Sequence, residues 1–314
     1  MSTIAGQRVG FGIIYGFQPF AADRLLEEAQ HAETLGFDLF CVADHLHGTY
    51  PTPEPWTALT WIAAVTERIA VMTNVLGLPY RAPAVTAKMA ETLDRLSGGR
   101  LVLGLGTGGY EGEFEAFGLA RRTPGQKVAA LGEATQIIRG LWRQPSFSFD
   151  GEHFRTRDAR IEPKPARPIP IWLGTYGPRA LRMTGALADG WVPSLGRLDL
   201  DQAVAMRTTV RDAATAAGRN PDDITCAANL IIDFTPDTPD TPDAPPAGPG
   251  GRRISGDSAA IAGQLISIGS AGFTFLNVAL ADADARRRFA AEVVPLVRGE
   301  LAQAVRKSPP PKVG

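Results

Sequence analysis

Short, nearly unbroken apolar runs alternate along this chain with stretches whose apolar residues recur every three or four positions. "VGFGII" (9–14) predicts a strand. Leu25, Ala29 and Ala32 then mark one face of a helix that stops at Gly36. The alternation continues with "FDLFCVA" (37–43) as a strand and "WTALTWIAAVTE" (56–67) as a helix. "IAVMTNV" (69–75) is a strand, followed by Val85, Met89, Leu93 and Leu96 at helical spacing. "LVLGL" (101–105) precedes a helix over 124–142 with Val128, Leu131, Ile138 and Leu141 on one side. "FSFDGEHFRTRDARIEPKPARP" (147–168) breaks the rhythm and predicts a hairpin and an extended segment. Strands at 169–174, 190–194, 225–233 and 273–280 then alternate with helices from Pro178 and over 201–217, 257–268 and 284–302.

Strands of this kind have both faces buried, as in a parallel sheet. Eight such βα units predict a (β/α)8 barrel over 1–304, with a doubly wound sheet as the alternative. Two stretches bury nothing. "TPDTPDTPDAPPAGPGG" (235–251) repeats Thr-Pro-Asp and runs into Pro and Gly, predicting a mobile insertion over 235–253 after the seventh strand. Residues 305–314 read as a disordered tail.

Composition narrows the function classes. The 314 residues carry a formal charge of -1, which gives no global basic surface for nucleic acid. No signal pattern and no 18-residue apolar stretch is present, so a soluble, cytoplasmic protein without a membrane segment is expected. Cys41 and Cys226 both lie in apolar runs and read as buried thiols, not as a disulfide or metal site.

"LVLGLGTGGY" (101–110) contains G-x-G-x-x-G at Gly104, Gly106 and Gly109. A dinucleotide fingerprint should open the first βαβ unit and lead straight into a helix. Here it follows the fourth strand and leads into "YEGEFEAFG", which is no clean helix start. In a barrel the same loop lies at the C-terminal mouth, where active sites are built. Its glycines serve either close ligand approach or a turn with positive φ. Asp44 and His45, after the second strand, reach the same mouth. An acid beside an imidazole can orient it for proton transfer, or the pair can serve the surface. "WLGTYGPRAL" (172–181) places Gly174, Thr175, Tyr176 and Gly177 before a helix opening at Pro178 and Arg179. That is an anion site or an ordinary turn.

Together these segments resemble the luciferase-like monooxygenase superfamily, on its coenzyme F420-dependent side. "ETLDRLSGGRLVLGLGTGGYEGEFEAFG" (91–118) is the most specific part. "LPYRAPAVTAK" (78–88), "DGEHFRTRDARIEPKP" (150–165), "PIWLGTYGPRAL" (170–181) and "ADGWVP" (188–193) add to it. The family fold is the same barrel. The resemblance implies that His45 assists proton transfer, with Asp44 holding its tautomer, while a hydride passes between coenzyme F420 and a small organic substrate. It also implies a cis peptide at Asn74–Val75 under the cofactor ring. Gly106, Thr107, Gly108 and Gly109 would lie along the ring and its side chain, and Gly174 to Arg179 at the phosphate, with Thr175 adding a hydroxyl donor. A homodimer is expected by the same analogy. Two alternatives stay open: an FMN-dependent monooxygenase served by a separate reductase, and a non-catalytic flavin-binding barrel.

The chain departs from the sugar-phosphate dehydrogenases of that family. They carry Glu where this chain has Gly109, and Trp where it has Thr49. Both positions bear on the sugar site, so glucose 6-phosphate is not the expected substrate. His47 is a spare imidazole at the mouth. His153 reads as structural and His31 as a surface residue.

Overall fold

The computed structural model describes residues 9–15, 21–46, 52–195, 198–234 and 252–307. The elements run β1 (Gly10–Tyr15), α1 (Ala22–Thr34), β2 (Leu39–Val42), α2 (Pro55–Val65), β3 (Ala70–Thr73), β4 (Leu76–Gly77) and α3 (Pro83–Leu96). They continue β5 (Leu101–Gly106), α4 (Glu111–Ala116), α5 (Pro124–Arg143), β6 (Phe147–Asp150), β7 (Arg155–Ala159), β8 (Ile171–Gly174) and α6 (Pro178–Leu187). The last are β9 (Gly190–Trp191), α7 (Leu200–Ala216), β10 (Thr225–Asp233), β11 (Arg252–Ser255), α8 (Ser258–Ser270), β12 (Phe275–Ala279), α9 (Ala283–Arg288) and α10 (Val294–Lys307). A π-helical turn, Phe289–Val293, joins α9 to α10.

Parallel pairing runs β1–β2–β3–β5–β8–β9–β10–β12 and returns to β1, with β4 extending the third strand against β5. Gly190 pairs with Thr225, and Gly10 with Phe275, which closes the sheet. A closed sheet excludes the doubly wound alternative. Met72, Trp172 and Phe275 fill the lumen, the last two edge-to-face at 5.4 Å. A larger apolar layer lies between barrel and helices. Helix starts follow their sequence signals. Thr123 with Gln126 and Asp199 with Gln202 form capping boxes, and proline opens α2, α3, α5 and α6.

At the N-terminal end of the barrel, Arg100 is buried and makes no direct ion pair among the described residues. Its guanidinium donates instead to the carbonyls of Ala63, Thr66, Ile69 and Ser97 and to the Thr66 hydroxyl. This binds the end of α2 to the starts of β3 and β5.

Three expectations need correction. The stretch after Tyr110 does form a helix, α4, short enough that no apolar periodicity announces it. Parallel strand β11 begins at Arg252 against Leu230, so the segment expected as a mobile insertion ends before 253. Helix α10 continues to Lys307, three residues into the expected tail. The hairpin is present as the antiparallel pair β6–β7. Residues 235–251, His47 and Thr49 lie outside the described residues.

Candidate active site

Asp44 and His45 follow β2 at the C-terminal mouth, but they do not form a pair. Asp44 is buried, whereas the His45 side chain is 42% exposed. The Asp44 carboxylate accepts from Arg81 at 2.7 and 3.3 Å and from the Gly77 backbone N–H at 2.8 Å. Arg81 also donates to Glu54 at 2.6 Å, and Glu54 caps α2. Burial raises the Asp44 carboxyl above its ordinary range, against the pull of Arg81 and Gly77. Asp44 therefore ties β4 to the end of β2, and the expectation that it sets the His45 tautomer is corrected.

The acid partner of His45 comes from elsewhere. Glu113, on α4, has no exposed side-chain surface, and its Oε1 lies 3.1 Å from His45 Nδ1. Its Oε2 accepts from the Tyr80 hydroxyl. Burial first, then the hydrogen bond to Glu113 and the Glu113 charge, push the Tyr80 hydroxyl far above its ordinary range, so it stays protonated. The Tyr110 ring stands edge-on to His45 at 6.3 Å. Helix α4 is locked by Phe114, buried beside Glu113. Lys127 lies over the Phe114 ring at 5.0 Å and donates to the Gly108 carbonyl at 3.2 Å and to Glu111. The residues of α4 lie in the quoted motif, but nothing in their spacing selects Glu113 over Glu111 or Glu115.

The third strand is interrupted between β3 and β4 by a cis peptide at Asn74–Val75, as the resemblance implies. Val75 is half-buried and stands against two glycines paired across β5 and β8, Gly106 and Gly174. A Cβ on Gly106 would lie 2.6 Å from the Val75 side chain, and one on Gly174 would lie 3.0 Å from it. These two glycines thus make room for Val75. Gly104 makes room for the Thr73 carbonyl, which a Cβ there would meet at 1.9 Å. Gly109 faces open space. The G-x-G-x-x-G match has packing reasons at its first two positions.

Beside the cis peptide lies an amide cluster that sequence reading missed. Asn74 and Asn229 exchange hydrogen bonds at 3.1 and 3.2 Å, and Asn277 donates to Asn229 at 3.0 Å. Three asparagines spread over 74–277 leave no spacing signal. Only barrel closure brings β10 and β12 beside the third strand.

The turn after β8 is divided in its roles. Thr175 is buried, and its hydroxyl lies 2.7 Å from that of Thr184. Thr184 donates to the Ala180 carbonyl, so Thr175 must donate to Thr184. Its proton is committed inside the protein, which corrects its expected part as a phosphate donor. The Tyr176 hydroxyl accepts from the Ser194 N–H at 2.7 Å, joining this turn to the one after β9. Gly177, Pro178 and Arg179 are exposed, and Gly177 heads α6 with no side-chain cap. A Cβ on Gly177 would meet nothing within 4 Å. The helix start is open to an anion.

The luciferase-like monooxygenase family model matches residues 5–239. An F420-dependent glucose-6-phosphate dehydrogenase of Nakamurella multipartita is 33% identical over 236 residues, covering 73% of this chain and 69% of that protein. Two solved structures share the fold at lower identity. An F420-dependent secondary alcohol dehydrogenase in complex with an F420-acetone adduct has a TM-score of 0.82 at 19% identity, covering 93% of this chain and 99% of that one. The EDTA monooxygenase of Chelativorans sp. BNC1 has a TM-score of 0.78 at 14% identity, covering 93% and 94%. By model and by relatives, the chain belongs to the luciferase-like monooxygenase family.

Proposed function

We propose that the chain is a coenzyme F420-dependent oxidoreductase acting on a small hydroxyl-bearing substrate, with His45 carrying the proton that accompanies hydride transfer. One observation carries this reading: a half-exposed imidazole at the barrel mouth, backed by the buried carboxylate of Glu113 at 3.1 Å. The dehydrogenase of Nakamurella multipartita and the secondary alcohol dehydrogenase are both named F420-dependent, which supports the choice of cofactor. So does the fit of the residues present. The uncapped start of α6 at Gly177, with Arg179 beside it, suits a phosphate-bearing tail. Val75 and the open Gly109 suit a flat ring.

Coenzyme F420, when bound, supplies a ring carbon that takes or returns a hydride as a two-electron carrier. The residues that would hold it are Asn74, Val75, residues 106–109 and residues 177–179. His45 Nε2 would take the hydroxyl proton as the carbinol carbon gives up its hydride and becomes a carbonyl, and would return it in reverse. A positioned general base of this kind contributes about 10²–10⁴-fold.

The test is titration of the purified protein with oxidised coenzyme F420 and with FMN, followed by turnover on 2-propanol and on glucose 6-phosphate. Binding of F420 with faster F420 reduction by 2-propanol is the expected result, given Gly109 and Thr49 at the sugar positions. Binding of FMN with oxygen uptake by its reduced form would replace this reading with the monooxygenase one. Cofactor binding without turnover on any hydroxyl substrate would leave a non-catalytic barrel.

A further inference from the structure

We infer that Glu113 and Tyr80 form a positioning pair that fixes His45 in one tautomer, with its proton on Nδ1 and the Nε2 lone pair free for substrate. The inference rests on the reading of His45 as proton carrier. A carboxylate has acceptors only, so at 3.1 Å from Glu113 Oε1 the His45 Nδ1 must be the donor. In a neutral imidazole the other nitrogen then carries no hydrogen. The resting ring is therefore a base toward the mouth, and the imidazolium it becomes already has its counter-charge.

Glu113 cannot rotate away freely, because its second oxygen holds the Tyr80 hydroxyl. Tyr80 in turn packs on Phe114, the residue after Glu113, at 6.0 Å between ring centroids. Acid, hydroxyl and helix thus move as one unit. Two further carboxylates of this region, those of Asp44 and Glu54, have partners of their own. Asp44 is held by Arg81 and Gly77, and Glu54 by Arg81 and the start of α2. Glu113 is the carboxylate that reaches the His45 ring among the described residues.

The deciding measurement is ¹⁵N NMR of the histidine rings in the cofactor-free protein, with His45 assigned by the signal lost in His45→Ala. The wild-type ring at alkaline pH should carry its proton on Nδ1. Glu113→Gln should release it to the mixture seen for a free imidazole, because an amide can donate as well as accept. Tyr80→Phe should give a partial release. With coenzyme F420 and 2-propanol, Glu113→Gln should lower kcat about tenfold or more while KM stays within threefold, as expected when only the orientation of a base is lost. A wild-type proton on Nε2, or an unchanged tautomer in Glu113→Gln, overturns the inference. An unchanged tautomer in Tyr80→Phe removes Tyr80 from the pair. If Glu113→Gln does not fold, the wild-type spectrum and Tyr80→Phe still decide. A Glu113-dependent tautomer combined with full turnover by His45→Ala would overturn the proton-carrier reading instead.

Discussion

His45 and Asp44 are neighbours in sequence with separate duties, and substitutions should separate them. His45→Ala removes a half-exposed ring whose partner, Glu113, remains held by Tyr80. Turnover should fall about 10²–10⁴-fold while coenzyme F420 affinity stays within a few fold, read by steady-state kinetics and fluorescence titration. Asp44→Asn removes a buried charge and leaves Arg81 with Glu54 alone. Breaking one side of a buried pair costs about 3–5 kcal/mol, somewhat less here because Glu54 still pairs with Arg81. Urea denaturation should show that loss, with kcat changed less than by His45→Ala. If Asp44→Asn instead keeps wild-type stability and loses turnover, Asp44 is the acid behind the imidazole after all.

At the scale of elements, the turn between β8 and α6 separates backbone approach from side-chain chemistry. Gly177→Leu places its Cβ in open space, so the fold should persist. The added bulk at the head of α6 should weaken coenzyme F420 binding by about tenfold or more, since charge-assisted bonds to a phosphate contribute about 1.5–3 kcal/mol each. Thr175→Ala should leave that affinity unchanged within a few fold. It should lower stability by about 1 kcal/mol through the lost bond to Thr184, measured by thermal melting. An affinity loss in Thr175→Ala matching that in Gly177→Leu would return the threonine hydroxyl to the phosphate site.

For the whole molecule, the barrel divides stability from chemistry between its two ends. Arg100 closes the N-terminal end with five polar acceptors, and burial pulls its guanidinium below its ordinary range against the opposing charges of Glu33 and Glu67. Arg100→Met should cost about 2–4 kcal/mol by orphaning carbonyls of α2 and β3. The melting temperature should drop, and coenzyme F420 affinity should stay within a few fold. A drop in affinity as large as that of Gly177→Leu would show the two ends to be coupled.

The barrel could be read from the chain because its eight main strands and the long helices between them are encoded locally. Short apolar runs with both faces buried mark parallel strands, three- and four-residue spacing marks the helices, and Thr123 with Gln126 marks a helix start. The resemblance also implied the cis peptide at Asn74–Val75, a local backbone feature at the end of the third strand. What met what across the mouth was decided by tertiary structure. Chain adjacency offered Asp44 as the acid for His45. Arg81 and the Gly77 N–H hold Asp44 instead, and α4 delivered Glu113 from 68 positions away. The asparagines at 74, 229 and 277 meet only because the sheet closes. Thr175 faces Thr184 because α6 packs back over its own turn. A periodic pattern fixes which face of an element is buried, but a hydrogen bond between elements depends on strand register and loop path, which no single segment contains.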